Sequence, residues 1–244
     1  MPKTASAKLN AATVLSHLSH FAEPKRAANS QWFFKTGKGQ YGEGDVFMGV
    51  TVPNQRSVAR KFAELPPRET LKLLHSKLHE ARLTALLILV HQFERGSAEQ
   101  QAEIAKLYLA NTSRINNWDL VDSSAPHILG HWLLNKDRKL LLKLARSRSL
   151  WERRIAIIAT FEFLRHGQHR ETFAISELLL SDKEDLIHKA VGWMLREAGK
   201  NVGVQHLRAF LKKHANKMPR TALRYATEHL SAEERAQWLK YKGD

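Results

Sequence analysis

A segment near the middle of the chain, Asn117–Asp122 (NWDLVD), places an aromatic ring and a carboxylate four residues apart, at Trp118 and Asp122. On a helix that spacing puts both on one face. A carboxylate beside a large apolar ring is costly unless a cation neutralises it or a reaction uses its charge. Asp122 therefore has two readings, a salt bridge to Arg153 or Arg154, or a catalytic group. Asp119 and Asp122 are not read as a carboxylate pair. A second segment, Leu150–Ile158 (LWERRIAII), carries Arg153 and Arg154. On a helix these point about 100° apart. One can meet a phosphate while the other pairs with Glu152 or a neighbouring repeat; plain surface charge is the alternative for each. A third segment, Ile187–Glu197 (IHKAVGWMLRE), sets Trp193 beside Gly192, with Lys189 and Arg196 a turn to either side. A tryptophan flanked by cations suits a sugar or base platform over a phosphate backbone. The alternative is a core tryptophan with a basic solvent face.

Other chemistry is weakly supported. Gly37, Gly39 and Gly42 satisfy G-x-G-x-x-G, but no strand leads in and no helix opens directly after, so a dinucleotide site is not expected. A mobile basic loop flanked by Lys35 and Lys38 is. His75/His79 and His127/His131 are spaced four apart without the glutamate of a zinc motif or a further ligand. They read as surface or capping histidines, with no metal and no cofactor. The chain has no cysteine, which excludes disulfides, thiolate metal sites and cysteine nucleophiles.

The elements that must position these residues are helical. Apolar residues recur at three- and four-residue spacing. The pattern predicts helices over 5–22, 24–35, 54–64, 68–78, 80–94, 97–110, 117–134, 137–146, 149–165, 170–181, 184–199, 202–214, 219–229 and 231–241. Only Val46–Val52 hints at strand alternation. Small or apolar anchors recur at Ala85, Ala125, Ala156, Ala190 and Leu223, at intervals of 40, 31, 34 and 33 residues. Helix pairs at that period predict an all-α fold, an α-solenoid of HEAT-like antiparallel pairs with a basic concave face. A single domain over 1–244 is expected, with N-terminal helices and a glycine-rich loop over 1–64 and repeated pairs over 68–241. Asp122, Arg154 and Trp193 each lie within three positions of an anchor, so the register predicts that they share one face.

Charge indicates the partner. Lys and Arg number 39 against 24 Asp and Glu, a formal net charge of +15. Lys189–Arg224 holds nine basic residues and one acid, and Met1–Phe62 nine and three. Basic ends around a central site fit a grip on a polyanion. The longest apolar run, Leu83–Val90, is too short for a membrane span, and the N-terminus lacks the apolar core of a secretion signal. A cytoplasmic monomer on double-stranded DNA is expected.

In order, NWDLVDS, LWERRIAI and HKAVGWMLRE resemble the signature segments of the AlkD-type DNA alkylation repair glycosylases. The stretch FFKTGKGQYGEGDVFMGVTVPNQR at Phe33–Arg56 is similar to an N-terminal segment of the same family. The resemblance covers roughly 30–235. It implies that Asp122 is the catalytic carboxylate, and that Trp118, Trp193 and Arg154 contact the damaged nucleotide. Lys189 and Arg153 join as basic neighbours. An aromatic from the first helices contributes in that family, and Tyr41 and Trp32 are its candidates here. The implied activity is removal of cationic N3- or N7-alkylated purines without flipping the base into a pocket. The alternatives are a non-catalytic binder of damaged or branched DNA and a HEAT-type protein scaffold.

Overall fold

The computed structural model describes residues 9–241 and residue 243. Residues 5–8 of the first predicted helix lie outside the described residues. The chain divides between Ser124 and Ala125 into two compact units. Helices that follow the N-terminal ones in the first unit pack back on them. No described helix is long and apolar enough to cross a membrane.

The first unit contains α1 (Ala11–Ser19), α2 (Pro24–Phe33), α3 (Val52–Lys61), α4 (Pro67–Leu74), α5 (His79–Arg95), α6 (Ala98–Ala110) and α7 (Trp118–Asp122). Helix α5 is its axis, with α1, α3, α4, α6 and α7 packed around it. Residues 79–90 of α5 are all buried. That stretch is apolar except for its first turn and Thr84, so His79, Glu80 and Arg82 enter the core as charged groups and must be compensated there. Glu80 accepts hydrogen bonds from the backbone N–H groups of Met48 (3.0 Å), Gly49 (2.8 Å) and Val50 (3.2 Å). The strand hint at 46–52 comes down to one isolated parallel bridge between Val46 and Leu78. Gly49 cannot be replaced cheaply: its φ is +82°, and a Cβ there would lie 2.1 Å from the Glu23 carbonyl. Helix α6 opens on a capping box of Ser97 and Gln100.

The second unit contains a π-turn (Pro126–Gly130), α8 (His131–Leu133), α9 (Lys139–Ala145), α10 (Leu150–Arg165), α11 (Arg170–Leu179), α12 (Asp185–Asn201), α13 (Val204–His214), α14 (Arg220–Ala226) and α15 (Ala232–Lys240). The continuous helix predicted over 117–134 is broken. Pro126 has no N–H to give to the Asp122 carbonyl, and Ala125 O accepts from both Leu129 and Gly130. Beyond it the second helices of successive pairs, α10, α12 and α14, pack side by side, while α9 lies against α11. Their anchors Ala156, Ala190 and Leu223 are at most 2% exposed, as the repeat predicts. The architecture is all-helical and solenoid-like, because each pair buries its apolar face on the next.

Candidate active site

Helix α7 carries Trp118 and Asp122, and it has only five residues. One and a half turns of W-D-L-V-D do not hold themselves in water, since nucleation costs more than so few hydrogen bonds return. The surroundings supply the hold. Asn117, buried just before the helix, accepts from the Trp118 N–H at 2.8 Å. Leu120 and Val121 are buried in the core. Asp119 accepts from His79 Nε2 at 2.7 Å. On the other side of the same ring, His79 Nδ1 lies 3.0 Å from Asp45 Oδ2. Asp45 also accepts from Arg82 (2.6 Å) and Asn117 (3.4 Å), and Arg82 donates to Asn116 at 2.6 Å.

This cluster sets its own protonation. Burial alone pushes the His79 imidazolium down, but the hydrogen bonds it donates to Asp119 and Asp45 outweigh it and raise the pKa to about 9. Burial likewise pushes Asp45 up, and the opposing bonds and charges of His79 and Arg82 bring it below its usual value. Two cations and two carboxylates therefore close a neutral quartet in the core.

Stacked rings complete the support for Trp118. Its indole stacks on Phe34 (centroids 5.4 Å, 24°), and Phe34 stacks on Phe47 (5.1 Å, 14°). Phe47 in turn stacks on His79 at 4.6 Å. Phe33 meets Trp118 edge-on at 6.0 Å. The glycine-rich stretch expected to be a mobile basic loop is a run of hydrogen-bonded turns leading to Asp45. Gly42 packs so closely that a Cβ would sit 2.3 Å from the Phe34 carbonyl.

Asp122 ends α7 half-buried, near enough to Tyr108 to raise the phenol's pKa further than burial alone does. Of the two N-terminal aromatics, Tyr41 is half-buried, whereas Trp32 is 83% exposed beside Phe33 on a cleft of about 750 Å³ also lined by Lys35.

In the second unit, Arg154 is 5% exposed and donates to the Leu186 carbonyl at 2.5 Å. Plain surface charge does not describe it. Arg153 is taken up elsewhere: Nε and Nη2 bind the two oxygens of Asp182 (2.6 and 3.2 Å), and Nη1 donates to the Ser147 and Arg148 carbonyls. That bidentate bridge makes Arg153 a link from α10 to the segment before α12. Trp193 is half-buried with its ring 6.0 Å from Phe161. Gly192 beside it permits close helix packing, since a Cβ would lie 2.5 Å from the Ala222 carbonyl. Lys189 pairs with Asp185 on its own helix at 2.8 Å. Part of the basic stretch 189–224 is balanced by acids outside it: Arg196 by Glu228, Arg208 by Glu234, and Lys213 by Glu177.

The sequence pattern of DNA alkylation repair enzymes matches residues 14–230. The chain belongs to that family. All three signature segments and the stretch Phe33–Arg56 fall inside the match. The fold agrees with the solved structure of a predicted DNA alkylation repair enzyme from Enterococcus faecalis, at a TM-score of 0.67 and 17% identity, covering 86% of this chain and 97% of that one. No curated protein matches the chain.

Sequence reasoning missed the cluster beneath α7 in this family member. His79 was read as a surface or capping residue, yet it is 2% exposed between two carboxylates. One signal was available. His79, Glu80 and Arg82 open the helix that carries the longest apolar run, where charge is costly without partners, and Asp45 follows the glycine run.

Proposed function

We propose that this family member is a DNA glycosylase that excises cationic N3- or N7-alkylated purines from duplex DNA by hydrolysing the N-glycosidic bond. The observation that carries the reading is the division of labour on α7. Asp119 is bound by His79 as part of the scaffold, and Asp122 stands at the end of the helix, four residues on from a tryptophan held by stacked rings.

Alkylation at N3 or N7 makes the purine cationic. When the C1′–N9 bond breaks, the base takes the electron pair and leaves neutral, and the positive charge passes to the deoxyribose. A fixed carboxylate near C1′ stabilises that charge. Water then adds to C1′ and gives up a proton, for which Asp122 is the acceptor. Trp118 and Trp193 are assigned to the deoxyribose, where cation–π attraction grows as charge develops. Arg154 and Lys189 are assigned to the adjoining phosphate, and the remaining basic surface supplies salt-dependent affinity without sequence preference. The base itself needs no protein pocket in this scheme. Bulky cationic adducts are accepted and neutral lesions are poor substrates.

The test is release of free base from a duplex carrying one N7-methylguanine. Asp122→Asn should lower the single-turnover rate about 10²- to 10³-fold while duplex affinity holds. Undiminished release would overturn the assignment. Tight duplex binding with no release from the unsubstituted protein would favour a non-catalytic binder.

A further inference from the structure

We propose that His79 is a positioning residue: as an imidazolium clamped between Asp45 and Asp119, it fixes α7, and with it Trp118 and Asp122, in the working pose. The catalytic arm of this inference rests on the glycosylase reading; the structural arm does not.

Geometry carries the inference. Both ring nitrogens of His79 face carboxylate oxygens, at 3.0 Å and 2.7 Å. A neutral imidazole has one N–H, so one of those contacts would set lone pair against lone pair. Only the doubly protonated ring satisfies both. The charged groups around the ring are Asp45 from the glycine-rich segment, Asp119 from α7, and Arg82 one turn along α5. Glu80, the next residue on α5, is turned to the Met48–Val50 amides.

The two carboxylates are not equivalent. Asp45 also receives Arg82 and Asn117. Asp119 Oδ2 receives His79, and Asp119 Oδ1 caps its own helix through the Leu120 N–H at 2.9 Å. When the ring loses a proton it can donate to only one of the two carboxylates, so the ionic clamp that joins the glycine-rich segment, α5 and α7 is broken whichever bond remains. The Asp119 carboxylate is also the more exposed of the two, 13% against 3%, and water can replace its partner. A second route reaches the same helix: Phe34 lies against both His79 (5.0 Å) and Trp118 (5.4 Å). The pKa of about 9 places the ring in its charged form at neutral pH.

The test titrates the intact protein. Nitrogen-15 NMR follows the His79 ring, and fluorine-19 NMR follows 5-fluorotryptophan at position 118, assigned by Trp118→Phe. Single-turnover release of 7-methylguanine is measured at saturating protein over the same pH range. Expected are a His79 midpoint near 9, a Trp118 shift with that midpoint, and about a tenfold loss of rate across it. Asp45→Asn removes one carboxylate from the ring and should lower all three midpoints together by about one unit. A Trp118 signal that stays flat while His79 titrates, or a His79 midpoint near 6.5, would overturn the proposal. Should Asp122→Asn retain full activity, the glycosylase reading fails while the two NMR curves still decide the role of His79.

Discussion

The tryptophans of two signature segments are held in two different ways. Trp193 sits on α12, seventeen residues long and seated by apolar side chains such as Ile187, Val191, Met194 and Leu195. Trp118 sits on five residues whose seat is an ionic quartet and a stack of rings. Apolar packing is indifferent to pH, and its strength grows with buried area. The quartet depends on protonation, and taking away one member leaves an uncompensated charge in the core. The pose of Trp118 should therefore respond to pH and to single charge changes, and that of Trp193 to volume.

The sharpest break in that contrast comes from His79→Ala. It leaves Asp45 and Asp119 facing each other without the cation between them, at a cost of about 3–5 kcal/mol. Thermal unfolding should show a drop on the order of 10 °C, larger at pH 7 than at pH 10. The pH dependence of the unsubstituted protein should have the matching sign. A histidine raised from 6.5 to about 9 by folding contributes stability that is fully present below 6.5 and lost as pH climbs through 9. Denaturant titrations at pH 6 and pH 10 should differ by about 3 kcal/mol from this group. Gly192→Ala tests the other side. Its Cβ meets the Ala222 carbonyl and Tyr225 at 2.5 Å, so α12 and α14 must separate, costing about 1–3 kcal/mol at any pH. A pH-dependent cost there would blur the contrast. The smallest effect on stability belongs to Trp32→Ala. With 83% of Trp32 exposed, the melting temperature should hardly change. Duplex affinity measured by fluorescence anisotropy should weaken by about 1 kcal/mol if its ring stacks on the nucleic acid.

The same contrast explains what could be read from the sequence. The helices of the second unit were legible because one physical cause, an apolar face repeated every 31–34 residues, writes itself along the chain. Ala156, Ala190 and Leu223 fall where that period puts them. Trp118, Asp122, Arg154 and Trp193 were nominated through their motifs, but periodicity said nothing of what holds α7. Asp45, His79 and Asp119 are 34 and 40 residues apart, and no local pattern joins them. Their meeting depends on a turn at Gly42 and on α5 being buried from its first residue. Arg153 and Arg154 were equivalent by spacing, and Asp182 separates them.

The most direct measurement sets the two carboxylates of α7 against each other. Single-turnover base release and thermal unfolding are recorded for Asp122→Asn and Asp119→Asn on one N7-methylguanine duplex. Asp122→Asn should lose the greater part of the rate with little change in melting temperature, and Asp119→Asn should lose stability with the smaller loss of rate. A slower reaction for Asp119→Asn than for Asp122→Asn would contradict the account.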